Sequence, residues 1–304
     1  MLTRRNLLRG LLGGTLAGFS VAGYGFGIEP ALRLRVQEWH ITRDDWTAPP
    51  LRIAAIADLH VGEPHVGLGR VRQVVRRAND LDADLIVLLG DYAAGHRFVT
   101  RPVSMDDVAP VLGELRAPLG VFAILGNHDW WDDPVAQRGD GPNLYATALE
   151  HAGIPVLSNR AIRLPDFWLA GVEDQLAIRA PGGGWRGLDD LDGTLAQITD
   201  DAPVVLLAHE PDIFARVPDR VALQLSGHTH GGQVRLFGHS PVVPSRYGNR
   251  YAYGHIRENG RDLVVSGGIG MSIMPLRFGV PPEITLVQIS GPRGLSLANP
   301  PATV

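Results

Sequence analysis

Residues 51–60 read Leu-Arg-Ile-Ala-Ala-Ile-Ala-Asp-Leu-His, and this stretch decides the fold. Its first seven residues are apolar apart from one arginine, a composition that predicts a short buried strand. The strand runs directly into Asp58-Leu59-His60, so a carboxylate and an imidazole follow its last residue. Both side-chain types are common metal ligands, and their position predicts a site at the end of the strand.

Two further stretches repeat this order of apolar strand and polar loop. Residues 84–89 lead into Gly90-Asp91, and residues 120–125 lead into Gly126-Asn127-His128-Asp129. Helical patterns separate the strands at residues 67–79 and 106–117. In β-α-β chains the strands are parallel and place their functional loops at the carboxyl ends. We therefore expect the three polar loops to lie side by side.

The second half of the chain supplies two more loops of this kind. Residues 203–208 predict a strand that ends at His209, and residues 221–225 predict one that leads into Gly227-His228-Thr229-His230-Gly231-Gly232. Residues two apart in an extended or turning backbone point to the same side. His228 and His230 can therefore reach one metal or two neighbouring metals, or they can belong to a glycine-rich surface turn.

The remaining patterns predict one compact domain without internal repeats. A strand at 31–41 has the character of a sheet edge, and the loop at 181–187 is expected to be flexible. Other strands are predicted within residues 156–172 and at 262–266 and 284–289, and other helices at 144–152 and 188–198. The expected division is a leader at 1–28, a catalytic domain at 29–290 and a tail at 291–304.

The composition excludes several classes of function. The 304 residues include 45% hydrophobic and 20% charged side chains, which is typical of a globular protein. A net charge of −4 gives no indication of a nucleic-acid-binding surface. Since the chain has no cysteine, disulfides, iron–sulfur clusters, thiolate-bound zinc and a thiol nucleophile are excluded. Any metal site must use His, Asp, Glu, Asn or backbone oxygen.

The first 28 residues have the pattern of an export signal. Thr3-Arg4-Arg5-Asn6-Leu7-Leu8-Arg9 precedes residues 10–28, which carry no charge. The paired arginines resemble a twin-arginine (Tat) signal, so the Tat export machinery is an expected partner and the location is expected to be periplasmic or extracytoplasmic. Ser20-Val21-Ala22 offers a cleavage site before Gly23, but the uncharged run is also long enough for a membrane anchor.

Taken together, the five loops resemble the calcineurin-like metallophosphoesterase superfamily. Their order is Asp58-x-His60, Gly90-Asp91, Gly126-Asn127-His128-Asp129, His209 and Gly227-His228-x-His230. Downstream, Gly231-Gly232-Gln233, residues 266–270 and Pro275-Leu276-Arg277 resemble the YkuE/YaeI-like branch of bacterial phosphodiesterases. The resemblance implies a four-layer α/β/β/α sandwich with two metal ions per chain.

The resemblance also implies a role for each motif residue. Asp58, His60 and His230 would hold one metal, Asn127, His209 and His228 would hold the second, and Asp91 would bridge both. His128 would be catalytic and lie over the substrate phosphate, and Asp129 would hold the imidazole of His128 in place. A metal-bridging hydroxide would be the nucleophile.

The implied ligand set agrees with the chemistry of phosphoester hydrolysis. Two metals about 3.5–4 Å apart neutralise the phosphoryl charge and lower the pKa of a bound water. Mixed imidazole, carboxylate and amide ligation favours Mn, Fe or Zn over Mg or Ca. His128 is suited to protonate the leaving oxygen.

Substrate contacts and the exact reaction are less constrained by sequence. Trp131, Arg246, Tyr247 and Arg277 follow motif loops and are expected to contact substrate, although packing or solvation explains each of them as well. The principal hypothesis is a phosphodiesterase at the cell envelope. Alternatives are a pyrophosphatase of a lipid-linked nucleotide sugar (UDP-diacylglucosamine type) with the same metal centre, and a binding module that has lost catalysis.

Overall fold

The computed structural model describes residue 15 and residues 18–292, and its described part contains two mixed β-sheets packed face to face. In chain order the strands are β1 (Arg35–Thr42), β2 (Leu51–Ile56), β3 (Gly62–Glu63), β4 (Leu85–Leu88), β5 (Arg101–Pro102), β6 (Val121–Ala123), β7 (Arg160–Arg163), β8 (Trp168–Gly171), β9 (Ile178–Arg179), β10 (Trp185–Arg186), β11 (Val204–Leu207), β12 (Leu223–Ser226), β13 (Gly254–Glu258), β14 (Arg261–Val265) and β15 (Glu283–Ser290).

The first sheet has the order β1-β15-β2-β4-β6, and the second has the order β13-β14-β12-β11-β8-β7. In the first sheet β2, β4 and β6 are mutually parallel, and in the second β8, β11, β12 and β14 are mutually parallel. The carboxyl ends of each parallel set therefore lie along one edge of their sheet. Strand β1 is an edge strand, as its sequence predicts.

Helices cover the outer faces of the two sheets. The α-helices are Glu29–Leu32, Leu68–Asn79, Met105–Leu112, Asn127–Trp131, Pro134–Arg138, Leu144–His151 and Leu191–Leu195, with 3₁₀ turns at Pro211–Arg216, His230–Gly232 and Gly248–Tyr251. Asn143 begins the helix Leu144–His151 by accepting hydrogen bonds from the backbone amides of Tyr145 and Ala146.

Because side chains alternate between the two faces of each strand, three apolar cores form between the four layers of helices and sheets. In β2, Ala54 and Ile56 pack against the helices, whereas Ile53 and Ala55 pack against the second sheet. In β11, Val205 and Leu207 face the first sheet, whereas Val204 and Leu206 face outward toward Phe214 and Leu191. Neighbouring residues of a strand point to opposite faces, so fully apolar strands fill two cores at once. The predicted α/β/β/α sandwich is confirmed.

Three local predictions differ from the structure. The helix predicted at 106–117 ends at Leu112, because Gly113 weakens it and the next turn changes to i→i−3 hydrogen bonds. The helix predicted at 188–198 covers only Leu191–Leu195, because the Asp190 carboxylate accepts the Gly193 amide and starts the helix there. The loop at 181–187 belongs to a hairpin in which β9 pairs antiparallel with β10.

The N-terminal segment is helical in its described part and packs on the domain. Residues 18–23 lead into a π-helical turn, Tyr24–Ile28, so the expected boundary at residue 28 falls within a continuous helical stretch. The Tyr24 ring packs edge-on against Phe278, with 5.9 Å between centroids. Within the described residues, no helix combines the length and apolar character needed to span a membrane. The paired arginines lie outside the described residues.

Candidate metal centre

The five loops that the sequence singles out converge at one edge of the sandwich. They follow β2, β4, β6, β11 and β12, whose carboxyl ends face the same region. Their predicted ligands are buried except for His228, which is partly exposed; the set is Asp58, His60, Asp91, Asn127, His209, His228 and His230.

One group of ligand atoms surrounds the ring nitrogens of His60 and His230. Their Nε2 atoms are 3.1 Å apart. The Oδ1 atom of Asp58 lies 3.5 Å from His230 Nε2, and the Oδ2 atom of Asp91 lies 3.4 Å from His60 Nε2. Two imidazole nitrogens and two carboxylates that converge this closely, with little exposure to water, form a set of donors suited to one cation.

A second group lies on the other side of Asp91. His209 Nε2 is 3.3 Å from Asp91 Oδ2, and His228 Nδ1 is 2.8 Å from Asn127 Oδ1. The same carboxylate oxygen of Asp91 thus lies within 3.4 Å of a histidine in each group. This position is the one that a carboxylate shared by two metal ions requires.

The environment of His209 tests whether these residues fit a metal. Its Nδ1 is 2.6 Å from the carbonyl oxygen of Leu89, so Nδ1 carries the proton and donates it there. The Nε2 atom is buried and has no hydrogen-bond partner. Burial opposes protonation of this ring, but the carboxylates of Asp91 and Asp58 raise the pKa of His209 well above its usual range, so a cation at Nε2 would displace a proton there. A backbone carbonyl that fixes one ring nitrogen and points the other at the centre is the arrangement found around metal-bound histidines. The donor set therefore fits divalent transition metals.

The ligand loops hold an unusual backbone conformation. Positive φ angles occur at Asp58 (53°), His60 (41°), Asp91 (58°), His228 (69°) and His230 (51°). Left-handed backbone is uncommon for residues with a side chain and costs about 1–3 kcal/mol at each position. Its concentration at the ends of the strands turns successive ligand side chains toward a common centre.

Glycine at position 126 is required by close packing between the loops. A Cβ atom there would lie 2.4 Å from Asp91 Oδ1 and 2.6 Å from His209 Cε1. Both neighbours are ligand side chains, so neither can move without disturbing the centre. The Gly126-Asn127-His128 loop can therefore pass beside the metal site only with glycine in this place.

Burial and neighbouring charges give the titratable side chains of the site different pKa values. Burial raises the pKa of Asp58 to about 7 and lowers the pKa of His60 to about 3. Burial opposes ionisation of Asp91, but the rings of His209 and His128 hold the pKa of this carboxyl well below its usual range. Asp91 is therefore charged and the His60 ring is neutral, as metal ligation requires.

The structure corrects the expected role of Asp129. Its carboxylate accepts hydrogen bonds from the backbone amides of Asp91, Tyr92 and Gly126, at 2.8, 2.9 and 2.8 Å. These bonds occupy both oxygens and join two ligand loops, so the prediction that Asp129 holds the imidazole of His128 is wrong. A buried carboxylate takes the nearest unpaired amides because they would otherwise have no partner.

The ring of His128 lies at the cavity wall and is flanked by other groups. Its Nδ1 is 3.4 Å from Asp132 Oδ2, and its Nε2 is 3.5 Å from the hydroxyl of Ser272. Burial opposes protonation, but Asp91 and Asp132 raise the pKa of His128 above its ordinary value. A histidine with a raised pKa that borders the substrate space is suited to donate a proton.

A cavity of about 850 Å³ opens above the ligands. Asp91, Asn127, His128 and Trp131 line it on one side, and Ser272, Ile273 and Met274 line it on another. The Trp131 ring lies 5.1 Å from that of His128 and stacks on Trp185, with 3.9 Å between centroids. Trp131 therefore lies in the wall of the cavity above the ligands.

The other predicted substrate contacts separate into two groups. Arg246 and Tyr247 line a second cavity of about 760 Å³, which shares Trp131 and His228 with the first. Arg277 is fully buried, and its guanidinium donates to the carbonyl oxygens of Gly267, Gly270 and Val280. The prediction that Arg277 contacts substrate is therefore wrong: the guanidinium stabilises the backbone beneath His230, at 3.3 Å from its Nδ1.

Sequence reasoning missed several residues of the site. Glu210 forms a potential ligand group with His209 and His228, and its Oε1 is buried without a hydrogen-bond partner. Its position in the sequence, directly after the predicted ligand His209, could have identified Glu210 as a further candidate ligand. Asp132, His96 and Trp185 also border the site. None of these three follows a strand directly, so strand-end reasoning alone does not identify them.

Comparisons with known proteins agree with this geometry. Residues 51–232 match the model of the calcineurin-like phosphoesterases. The chain is 31% identical to the metallophosphoesterase YkuE of Bacillus subtilis, over 95% of this chain and 98% of YkuE, and 30% identical to the phosphodiesterase YaeI of Escherichia coli, over 95% and 100%. A solved dimetal phosphatase of Danio rerio has a TM-score of 0.46 and 15% identity over 73% of this chain and 88% of that one.

Proposed function

We propose that this chain, which belongs to the calcineurin-like phosphoesterase family, is a phosphodiesterase that acts at the cell envelope. That it is a metal-dependent phosphoesterase follows from the family and from the buried His/Asp groups. The proposal adds the diester preference and the location. The similarity to YaeI, a phosphodiesterase by name, and the two adjoining cavities support the preference, and the sequence pattern of residues 3–28 supports the location.

One observation carries the catalytic proposal: Asp91 Oδ2 lies between His60 Nε2, at 3.4 Å, and His209 Nε2, at 3.3 Å. Asp58, His60 and His230 would hold one ion, and Asn127, His209 and His228 the other. Mn, Fe or Zn held there would neutralise phosphoryl charge and provide a nucleophile at neutral pH.

The protein side chains supply the remaining chemistry. Attack of water on phosphorus breaks one P–O ester bond, and the leaving oxygen needs a proton. His128 borders the cavity, and its raised pKa makes it the donor of that proton. Trp131 and Trp185 form an apolar wall beside it, and Arg246 lies where the second ester group of a diester would extend.

Two variants test these roles separately. Asp91→Asn removes the shared negative charge, so bound metal should fall below two ions per chain and hydrolysis should be lost. His128→Ala should keep both ions but lower the turnover number by about 10²–10⁴-fold. His239→Ala, an exposed histidine outside the site, is the matched control. Loss of metal from His128→Ala would contradict the role assignment.

The diester preference is tested with paired substrates. Bis-p-nitrophenyl phosphate and p-nitrophenyl phosphate release the same chromophore, so their kcat/KM values are directly comparable. We expect the diester to be the better substrate. A higher kcat/KM for the monoester would overturn the phosphodiesterase proposal, and absence of hydrolysis with metal bound would favour a binding module.

A further inference from the structure

The mouth of the metal-site cavity carries a cluster of exposed apolar side chains. This cluster, called here the apolar rim, consists of Leu236, Phe237, Val242, Ile273 and Met274. Phe237 is fully exposed, Ile273 is 80% exposed and Val242 is 75% exposed. Val242, Ile273 and Met274 also line the cavity. Since large apolar side chains that cluster in water mark interaction sites, the rim indicates a partner at the entrance of the site.

The rim is one connected surface held by backbone contacts. Leu236 and His239 exchange both backbone hydrogen bonds in a tight hairpin, with Phe237 at its tip. The side-chain amide of Gln233 donates to the carbonyls of Met274 and Leu276, and its oxygen accepts the Ser272 amide. Val234 forms a parallel bridge with Phe278. The hairpin and the 272–276 loop are therefore fixed beside one another.

The N-terminal segment joins the domain next to the rim. The Arg277 amide donates to the carbonyl of Gly25 at 2.9 Å, and a Cβ at Gly25 would lie 2.8 Å from Leu276 Cδ1. In this segment Phe19, Val21, Phe26, Ile28 and Leu32 are themselves exposed. Residues 10–28 carry no charge. The described part of this uncharged stretch, residues 18–28, thus adds exposed apolar side chains next to the rim.

The two chain segments that carry the rim contain no acidic residue, although Glu29 lies near Tyr24 and Asp212 accepts the backbone amide of Arg246 beside the adjoining cavity. Although the chain has 32 acidic residues, none lies between Asp219 and Glu258 or between Asp262 and Glu283, the segments that form the rim. Exposed arginines border it instead: Arg33 lies beside Tyr24, Arg97 lines the cavity, and Arg246 lines the adjoining one. Apolar side chains carried by two segments without carboxylates, with exposed arginines nearby, match the surface of an anionic lipid bilayer.

We propose that the apolar rim docks on a lipid bilayer, so that the metal-site cavity opens onto the membrane surface and receives the phosphoester head group of a membrane-embedded substrate. Phe237 and Ile273 enter the acyl boundary, and the arginines contact anionic head groups. The proposal that the rim docks on a bilayer does not depend on the reaction that the protein catalyses. The proposal that the substrate is embedded in the membrane rests on the proposed function.

The absence of cysteine from the chain allows a direct test of docking. Full-length Phe237→Cys, Ile273→Cys and Leu144→Cys are labelled with a fluorescent bimane and mixed with phosphatidylcholine–phosphatidylglycerol vesicles. Leu144 is the matched control, an apolar residue that is 51% exposed on a helix away from the rim. Nitroxide-bearing lipid should quench the labels at 237 and 273 at least about threefold more than the label at 144.

Two results would overturn the docking proposal. The first is equal quenching by nitroxide lipid at all three positions. The second is a result obtained without vesicles: the rim labels become protected from quenching by aqueous iodide as the protein concentration rises. That result would show that the rim pairs with a second copy of the chain.

A kinetic comparison tests whether docking serves catalysis. Phe237→Asp, with Leu144→Asp as control, is assayed on p-nitrophenyl hexadecyl phosphate in vesicles and on soluble p-nitrophenyl methyl phosphate. Phe237→Asp should lose roughly fivefold or more of its rate on the embedded diester only. Equal rates of the two variants on vesicles would refute the embedded-substrate step. If no variant hydrolysed the soluble diester, the proposed function would be refuted instead. The docking proposal would then be tested by the quenching measurement alone.

Discussion

The Nε2 atoms of His60 and His230 lie 3.1 Å apart in the buried floor of the cavity, although 170 residues separate them in the chain. Two neutral imidazoles at this distance can share an N–H···N hydrogen bond, and a cation held by both ring nitrogens would replace that shared proton. Each ring comes from a different sheet, because His60 follows β2 and His230 follows β12. The metal centre therefore also ties the two sheets together at this edge.

The first prediction concerns metal stoichiometry in His230→Ala. Removal of this imidazole should lower the affinity of the protein for one metal ion by more than about 100-fold. Loss of a group that only orients a metal ligand usually has a smaller effect, of about 10–100-fold. Metal analysis after dialysis should therefore show a decrease from two ions toward one per chain. His239→Ala should retain both ions. Retention of both ions by His230→Ala would remove His230 from the ligand set.

The second prediction concerns Gly126→Ala. The added methyl group would meet Asp91 Oδ1 and His209 Cε1 at 2.4 and 2.6 Å, so the loop must shift and the shared carboxylate must move with it. Overpacking of this kind costs about 1–3 kcal/mol, and bound metal should fall as well. Chemical unfolding and metal analysis measure the two effects.

Gly69→Ala is the control for that substitution. Gly69 lies in the helix Leu68–Asn79, and its added Cβ meets no atom within 4 Å. Alanine there should leave metal content unchanged and raise the free energy of unfolding by about 0.5–1 kcal/mol. A Gly126→Ala protein that behaves like Gly69→Ala would contradict the packing argument.

The third prediction concerns the pH dependence of stability at Asp262, far from the metal ligands. Its buried carboxylate accepts from Arg43 at 2.6 Å and from His255 at 2.7 Å. Burial raises its pKa, but hydrogen bonds from His255 and Arg43 lower the pKa further, so the net shift is downward. Because the folded pKa is depressed, this stabilisation is present above the unfolded pKa and is lost as pH falls through the folded value.

Urea unfolding of Asp262→Asn at several pH values tests whether this stabilisation is lost as the pH falls. The substitution removes one of the two carboxylates that pair with the buried guanidinium of Arg43, leaving Asp45, and should cost about 2 kcal/mol at pH 7. The difference from the unmodified chain should begin to shrink as pH falls below about 4, where the carboxyl is protonated first in the unfolded state, and should continue to shrink as pH falls through the depressed folded pKa. Asp219→Asn, at an 88% exposed side chain, should have little effect at any pH. A constant difference down to pH 3 would contradict the assignment.

The fourth prediction concerns the stacked pair of Trp131 and Trp185. Their ring centroids are 3.9 Å apart and the rings are inclined by 17°, and Trp185 contacts Trp131 from strand β10 of the hairpin. Trp185→Ala should raise KM for bis-p-nitrophenyl phosphate roughly fivefold, which corresponds to ~1 kcal/mol of aromatic stacking. Trp185→Phe should restore most of the affinity, and metal content should not change. An unchanged KM in Trp185→Ala would show that Trp131 is held without it.

The positions of the strands and of most ligand-bearing loops were predictable from local sequence. Apolar runs such as 51–57 and 84–89 are long enough to define buried strands, and a polar residue directly after each run stands at a strand end. Boundaries next to Gly113 and Asp190 were less accurate, because the low helix propensity of Gly113 ends one helix early and the capping carboxylate of Asp190 starts the other late. Periodicity detects the apolar face of a helix but not where its hydrogen bonds stop.

Local sequence alone thus identifies which residues lie at the ends of the strands and which chemistry they offer. The role of each of those residues depends on how the two sheets pack. Asp129 binds three amides instead of the His128 ring, Arg277 is buried beneath His230, and Glu210 lies within reach of the potential ligands His209 and His228. These choices depend on contacts between loops from two sheets. A buried polar group bonds whichever unpaired partner the packing brings within about 3 Å, and spacing along the chain does not encode that neighbour.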